Sequence, residues 1–100
     1  MNVQIQPNTV QKFVLVESSN DIFLWGDPNA KFHKDIVSKM QDSGIPVVNV
    51  RGGAKINIEK DRIYIWGESS VYGGVSFQEV QNILKEKFPE HRFINNNPKE

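Results

Sequence analysis

Histidine is the side chain in this sequence best suited to proton or group transfer near neutral pH, and of the two present His33 has the more suggestive surroundings. It stands in Ala30-Lys31-Phe32-His33-Lys34-Asp35-Ile36, where Phe32, Ile36 and Met40 recur every four residues with Val37 beside them. That spacing predicts an apolar stripe on a helix from about Pro28 to Asp42, with His33 at its edge. Asp27-Pro28 reads as an N-cap acceptor followed by a proline at the first helical position, which would put His33 in the second turn. A neutral imidazole there can act as a base or a nucleophile. The plainer alternative is a boundary residue that only separates core from solvent. Asp35, two residues on, points to a different side of the helix, so the two do not form a simple metal-binding pair. The absence of cysteine excludes disulfides, thiolate metal ligands and a cysteine nucleophile together.

Two glycine-containing stretches could serve such a histidine. Gly67-Glu68-Ser69-Ser70-Val71-Tyr72-Gly73-Gly74 runs from a strand towards a helix. Backbone N–H groups and hydroxyls in a turn of that kind can form a concave nest for phosphate oxygens. The spacing is not that of a P-loop, and serine-glycine loops also occur where nothing binds. In Arg51-Gly52-Gly53-Ala54 the adjacent glycines let the backbone bend or let a ligand come close, a bulge or plain turn being the simpler reading.

The elements that must position these stretches are legible in order. Val3 and Ile5 alternate with polar residues and suit a short edge strand. Phe13-Val14-Leu15-Val16 is apolar on both faces of a pleat, as is Ile22-Phe23-Leu24-Trp25, and the polar turn between them predicts a hairpin covered on both sides. Ser43-Gly44 closes the first helix. Strands are expected at Pro46–Val50, at the strictly alternating Lys55–Glu59, and at Arg62–Trp66, the last two joined as a hairpin across Lys60-Asp61. Ser76 with Glu79 forms a capping box for a helix over Phe77 to Lys87, whose apolar face is Phe77, Val80, Ile83, Leu84 and Phe88. Pro89 stops it. His91 is expected to be solvent-exposed and inert, within a last short strand from His91 to Ile94, and the tail from Asn95 to Glu100 is expected to fray.

Composition sets the remaining bounds. One hundred residues, 38% of them apolar, suit a single domain over residues 1–100, with 1–11 and 95–100 less ordered; such a chain buries roughly 60–65% of its unfolded surface. Twelve basic and twelve acidic side chains cancel, which removes the electrostatic footprint of a nucleic-acid or membrane-surface protein. No apolar run reaches the length of a membrane span, and the N-terminal residues have neither the basic start nor the apolar core of a signal peptide. The expectation is a cytoplasmic monomer.

Taken together, these stretches resemble the Janus/Ocnus family from about Lys12 to Phe93. Lys12-Phe13-Val14-Leu15-Val16 is similar to its lysine-led first strand, and Phe32-His33-Lys34-Asp35-Ile36 to its aromatic-His-x-Asp-Ile helix start. Gly52-Gly53-Ala54-Lys55-Ile56 is similar to a Gly-Gly-Gly-Arg-Ile element, and Ile63 to Gly73 to a strand entering a Gly-x-Ser-x-Ala-Tyr-Gly loop. Phe88-Pro89 resembles the aromatic-Pro that ends the last helix. The resemblance implies an α+β fold, a single mixed sheet of about six strands with one helix packed on each face. It also implies hydrolysis of the P–N bond of phosphohistidine in proteins or peptides, with inorganic phosphate as product and neither metal nor cofactor. Carried over by position, His33 would be catalytic, as general base or nucleophile. Lys12 and Lys55 would contact phosphate, and Ser69, Ser70 and Val71 would donate hydrogen bonds to its oxygens.

Two positions depart from the family pattern. Lys55 replaces an arginine, exchanging a planar fork for a point charge. Ala54 replaces a glycine and would be strained if the backbone there needed positive φ. The implied chemistry suits a small site, because a P–N bond is labile once its nitrogen is protonated, leaving the protein chiefly to hold the phosphoryl group and position one base or nucleophile. A phospholysine or other phosphoramidate phosphatase fits the same residues. So does a module that binds phosphorylated partners without hydrolysing them.

Overall fold

The computed structural model describes residues 2–97; Met1 and the expected fraying of 98–100 lie outside them. Six strands form one mixed sheet, in the order β1-β3-β2-β4-β5-β6. They are β1 (Asn2–Gln4), β2 (Gln11–Ser18), β3 (Ile22–Asp27), β4 (Val47–Ile58), β5 (Arg62–Trp66) and β6 (Arg92–Ile94), with α1 (His33–Asp42) and α2 (Phe77–Lys85) between them. The hairpins β2–β3 and β4–β5 are antiparallel, as their turns predict, while the short edge strands β1 and β6 join in parallel to β3 and β5. No helix among the described residues is long and apolar enough to cross a membrane.

The doubly apolar β2 explains the layering. Val14 and Val16 face Ile36, Val37 and Met40 of α1, while Phe13 and Leu15 face the other way, into a core shared with Ile56, Ile63, Ile65 and the Val80, Ile83 and Leu84 stripe of α2. Each face of the sheet thus buries one amphipathic helix, the arrangement that a strand apolar on both sides requires.

Helix α1 begins later than Asp27-Pro28 predicts, so His33 is its first residue and not a member of its second turn. Asp-Pro can close a strand as well as open a helix. Here Asp27 ends β3, its Oδ1 accepting the Asn29 N–H and its carbonyl the Ala30 N–H. The start of α1 is set instead by an extended Phe32 (φ −132°, ψ 154°), whose N–H donates to the Asp35 carboxylate at 3.0 Å. That is the acidic half of a capping box without the hydroxyl half. Asp27 still contributes to α1, since Lys39 in its last turn donates to the Asp27 carboxylate. That bond, aided by the Asn29 N–H, holds the Asp27 carboxyl below the ordinary range.

Arg51-Gly52-Gly53-Ala54 is neither a turn nor a break. The strands expected at Pro46–Val50 and Lys55–Glu59 are one 12-residue strand, β4, that runs through both glycines. Its register against β2 shifts twice: Leu15 pairs with Gly52 and Val16 with Val50, leaving Arg51 as the extra residue of a bulge beside the glycines, and Glu17 pairs with Asn49 and Ser18 with Val47, passing over Val48. Arg51 donates to Glu17 of β2 and to Glu79 of α2. Ser76 Oγ accepts the Glu79 N–H as a cap should, but the Glu79 carboxylate turns to Arg51 rather than back to the cap.

Helix α2 ends at Lys85, short of the expected Lys87. His91 differs more clearly from expectation. It is half-buried, with Nε2 donating to the Glu59 carbonyl and its ring edge-on to Phe88 at 4.9 Å. Because Leu84 is fully buried, Leu84→Ala should lower the unfolding free energy by about 2–5 kcal/mol. Urea denaturation at unchanged slope measures it; a loss under about 0.5 kcal/mol would mean that α2 does not bury this face.

Candidate functional site

The register of the sheet lays a row of side chains across the α1 face: Asp27 of β3 opposite Lys12 of β2, Lys12 opposite Lys55 of β4, and Lys55 opposite Trp66 of β5. Like charges directly opposite each other on a sheet repel. Asp27 could have neutralised Lys12, yet it is engaged by Lys39. Among the described residues neither Lys12 nor Lys55 forms an ion pair.

His33 lies next to this pair. The residue is 7% exposed, and its ring packs on Gly53, where a Cβ would lie 2.5 Å from Cδ2 and 3.0 Å from Cγ. Nε2 is 3.0 Å from the Ala54 carbonyl oxygen. A carbonyl only accepts, so Nε2 carries the proton in this contact and Nδ1 is left with the lone pair of the neutral ring. Ala54 itself is unstrained; among the described residues Asn8 is the non-glycine with positive φ.

The loop from Gly67 to Val75 docks on the same glycine from the side. The Gly53 N–H donates to Gly73 O, and Gly53 O accepts the Ser69 N–H. The loop thereby takes over the pairing edge of β4 that β5 occupies from Lys55 onward. Positive φ at Gly67 and Gly73 bends it there (both 77°). Ser69 is buried, and its Oγ accepts the N–H groups of Val71 at 3.2 Å and Tyr72 at 3.1 Å. The Val71 N–H is therefore turned inward. Of the serines in this loop, the Ser69 hydroxyl hydrogen and the Ser70 N–H and hydroxyl have no hydrogen-bond acceptor among the described residues.

All six residues singled out in the sequence line one cavity of about 400 Å³: Lys12, His33, Lys55, Ser69, Ser70 and Val71. That volume lies within the range of small-molecule sites. Three further residues line it that the sequence did not mark, namely Phe32, Lys34 and Glu68. Phe32 and Val71 are exposed apolar groups at its rim, 49% and 64% accessible, and the Lys34 ammonium stands 5.5 Å from the centre of the Phe32 ring. Position 34, beside the histidine in an exposed helix start, was the available signal. Among the described residues no cluster of three or more His, Asp or Glu side chains could hold a metal ion.

The sequence profile of the family described as Janus/Ocnus (Ocnus) matches residues 1–92, nearly the whole chain. The chain belongs to the Janus/Ocnus family. A comparison with curated proteins finds no match. The geometry converges on Gly52-Gly53, because the loop and the histidine both approach this part of β4 closely. Gly53→Ala should displace the imidazole, since its methyl would stand where the ring now lies. A shifted set of His33 ring resonances in ¹H–¹³C spectra, in a protein that stays folded, is the expected result; an unchanged set would mean that the ring does not rest on Gly53.

Proposed function

We propose that the chain is a metal- and cofactor-independent phosphohistidine phosphatase, cleaving the P–N bond of phosphorylated histidine in a protein or peptide. The observation that carries this reading is the Lys12–Lys55 pair, two unpaired cations directly opposite on the sheet, in one cavity with a histidine that has one ring nitrogen free. A bound phosphoryl group would turn that cross-strand repulsion into attraction to a shared anion. The Ser69 hydroxyl and Ser70, which line the same cavity, would supply hydrogen bonds to further oxygens. The product is inorganic phosphate, and the chain is taken to act as a cytoplasmic monomer.

In this scheme His33 works through Nδ1, because Nε2–H is occupied by the Ala54 carbonyl. Either Nδ1 takes a proton from the attacking water, or it attacks phosphorus and is freed by water in a second step. In both routes the leaving imidazole keeps the electron pair of the broken P–N bond. The lysines and loop donors act on charge spread over the equatorial oxygens of the loose transition state. The Ala54 contact fixes the ring orientation.

His33→Ala should lower kcat/KM on a phosphohistidine peptide by about two orders of magnitude or more, the scale of a lost acid–base or nucleophilic group. His91→Ala, per mole of folded protein, should stay near wild type, since His91 lies outside the cavity and bonds to Glu59. Inorganic phosphate should still titrate the Lys55 and Ser69–Gly73 amides in His33→Ala. Turnover unaffected by His33→Ala would remove His33 from the chemistry. Phosphate binding without turnover in the wild type would instead make the chain a phosphate- or phosphoprotein-binding module.

A further inference from the structure

Glu68 is the acidic side chain among the residues lining the His33 cavity, and no step of the proposed reaction uses it. It follows the bend at Gly67, and its side chain lies over Gly74, where a Cβ would come 3.5 Å from Glu68 Oε2. Lys12, Lys34 and Lys55 line the same cavity. Nevertheless Glu68 forms no ion pair with any of them, nor with another described residue. Lys12 and Lys55 project from the sheet, Lys34 from the start of α1 and Glu68 from the loop. The cavity is dipolar, with two cations on the sheet floor and one anion on the loop.

A phosphate dianion complements only the floor and meets Glu68 as a like charge. A ligand that joins a phosphoryl group to a cation complements both walls. Phosphohistidine in its reactive form is such a zwitterion, with the phosphoryl group on one ring nitrogen and a proton on the other. We propose that Glu68 is a specificity-determining residue that accepts a hydrogen bond from the protonated nitrogen base of the substrate, selecting phosphoramidates over phosphate esters. The proposal rests on the phosphatase reading for the identity of the reaction. As the P–N bond breaks, its electron pair stays on the ring nitrogen and the base departs as neutral imidazole, still holding its N–H. The phosphoryl group passes to water, whose proton goes to His33, or to His33 Nδ1. Glu68 takes no proton; it keeps the ring in its protonated form and retains the contact while part of that charge persists.

The test titrates wild type and Glu68→Gln with inorganic phosphate and with 2-aminoethylphosphonate, which joins a phosphonate to an ammonium, and compares kcat/KM on a phosphohistidine peptide and on p-nitrophenyl phosphate. Glu68→Gln should weaken 2-aminoethylphosphonate by about tenfold, the scale of one hydrogen bond to a charged group, while phosphate binds as well or more tightly. The phosphohistidine-to-ester ratio of kcat/KM should fall by a similar factor, and Glu68→Asp should recover part of both. Unchanged ratios, or equal losses on both ligands as a purely structural residue would give, overturn the proposal. If the wild type discriminates in binding but hydrolyses no phosphohistidine, the phosphatase reading falls and the selection of zwitterions stands. If it hydrolyses phosphohistidine and Glu68→Gln changes no ratio, the reverse holds. Binding of neither probe by the wild type overturns both.

Discussion

The site depends on an approach that only a residue without a side chain permits. The His33 ring rests on Gly53 so closely that a methyl group there would enter it, and the neighbouring Ala54 carbonyl accepts the Nε2 proton. One glycine thus sets both the depth of the imidazole and, through the strand that continues from it, which ring nitrogen is free. The same residue donates to Gly73 and accepts from Ser69, so the serine loop and the histidine are referenced to one point of β4. Errors in placing them do not accumulate along separate elements. That is how a chain of this size can hold such a constellation within the narrow tolerance that the proposed reaction would need.

The electrostatics carry a local cost, since Lys12 and Lys55 stand directly opposite each other on the sheet. Three carboxylates near the sheet have found partners: Arg51 bridges Glu17 and Glu79, and Asp27 takes Lys39 although its cross-strand neighbour is Lys12. Several other surface lysines also lack a counter-ion among the described residues; what sets Lys12 and Lys55 apart is that they stand directly opposite each other on adjacent strands and line one cavity. Repulsion across one strand pair is small on the scale of folding stability, so the two-layered core tolerates it readily.

The layered fold was legible because its signals are local. A strand apolar on both faces, Phe13 to Val16, demands cover on each side, and the Ile36/Met40 and Val80/Leu84 stripes supply it. Glycine at position 44, with φ of +87°, closed α1 as its type suggests. The errors all concern residues whose local signal fits two outcomes. Asp27-Pro28 can open a helix or end a strand, and the donor that decided it, Lys39, comes from the far end of α1. Gly52-Gly53 looks like a break because nothing nearby in sequence reveals the ring and the loop that press on it. His91 looked exposed because its partners, Glu59 and Phe88, are a strand end and a helix end brought together only by folding. Phe32, Lys34 and Glu68 were missed as cavity residues for the same reason, since membership in a cavity is a tertiary property.

The two departures from the family pattern have different weights once the geometry is known. Ala54 contributes its carbonyl to His33 and turns its methyl into the core on the α2 side, where it is 1% exposed. A side chain there costs the site nothing, because the functional atom belongs to the backbone. Lys55 is another matter, since under the proposed function its head group would be the functional part. An ammonium attracts a phosphoryl oxygen without fixing its direction, whereas a guanidinium fork can hold two oxygens in plane. Lys34 at the rim of the same cavity adds charge but sits over the Phe32 ring, so it cannot restore that direction from the position of Lys55. In the proposed reaction, orientation of the phosphoryl group would then fall to contacts that are themselves directional: the Ser69 hydroxyl, held in place by two backbone N–H groups, and the His33 ring, held by Gly53 and Ala54. A site that attracts through lysines and aligns through these neutral groups tolerates lysine at position 55, provided that the serine loop stays pinned to β4.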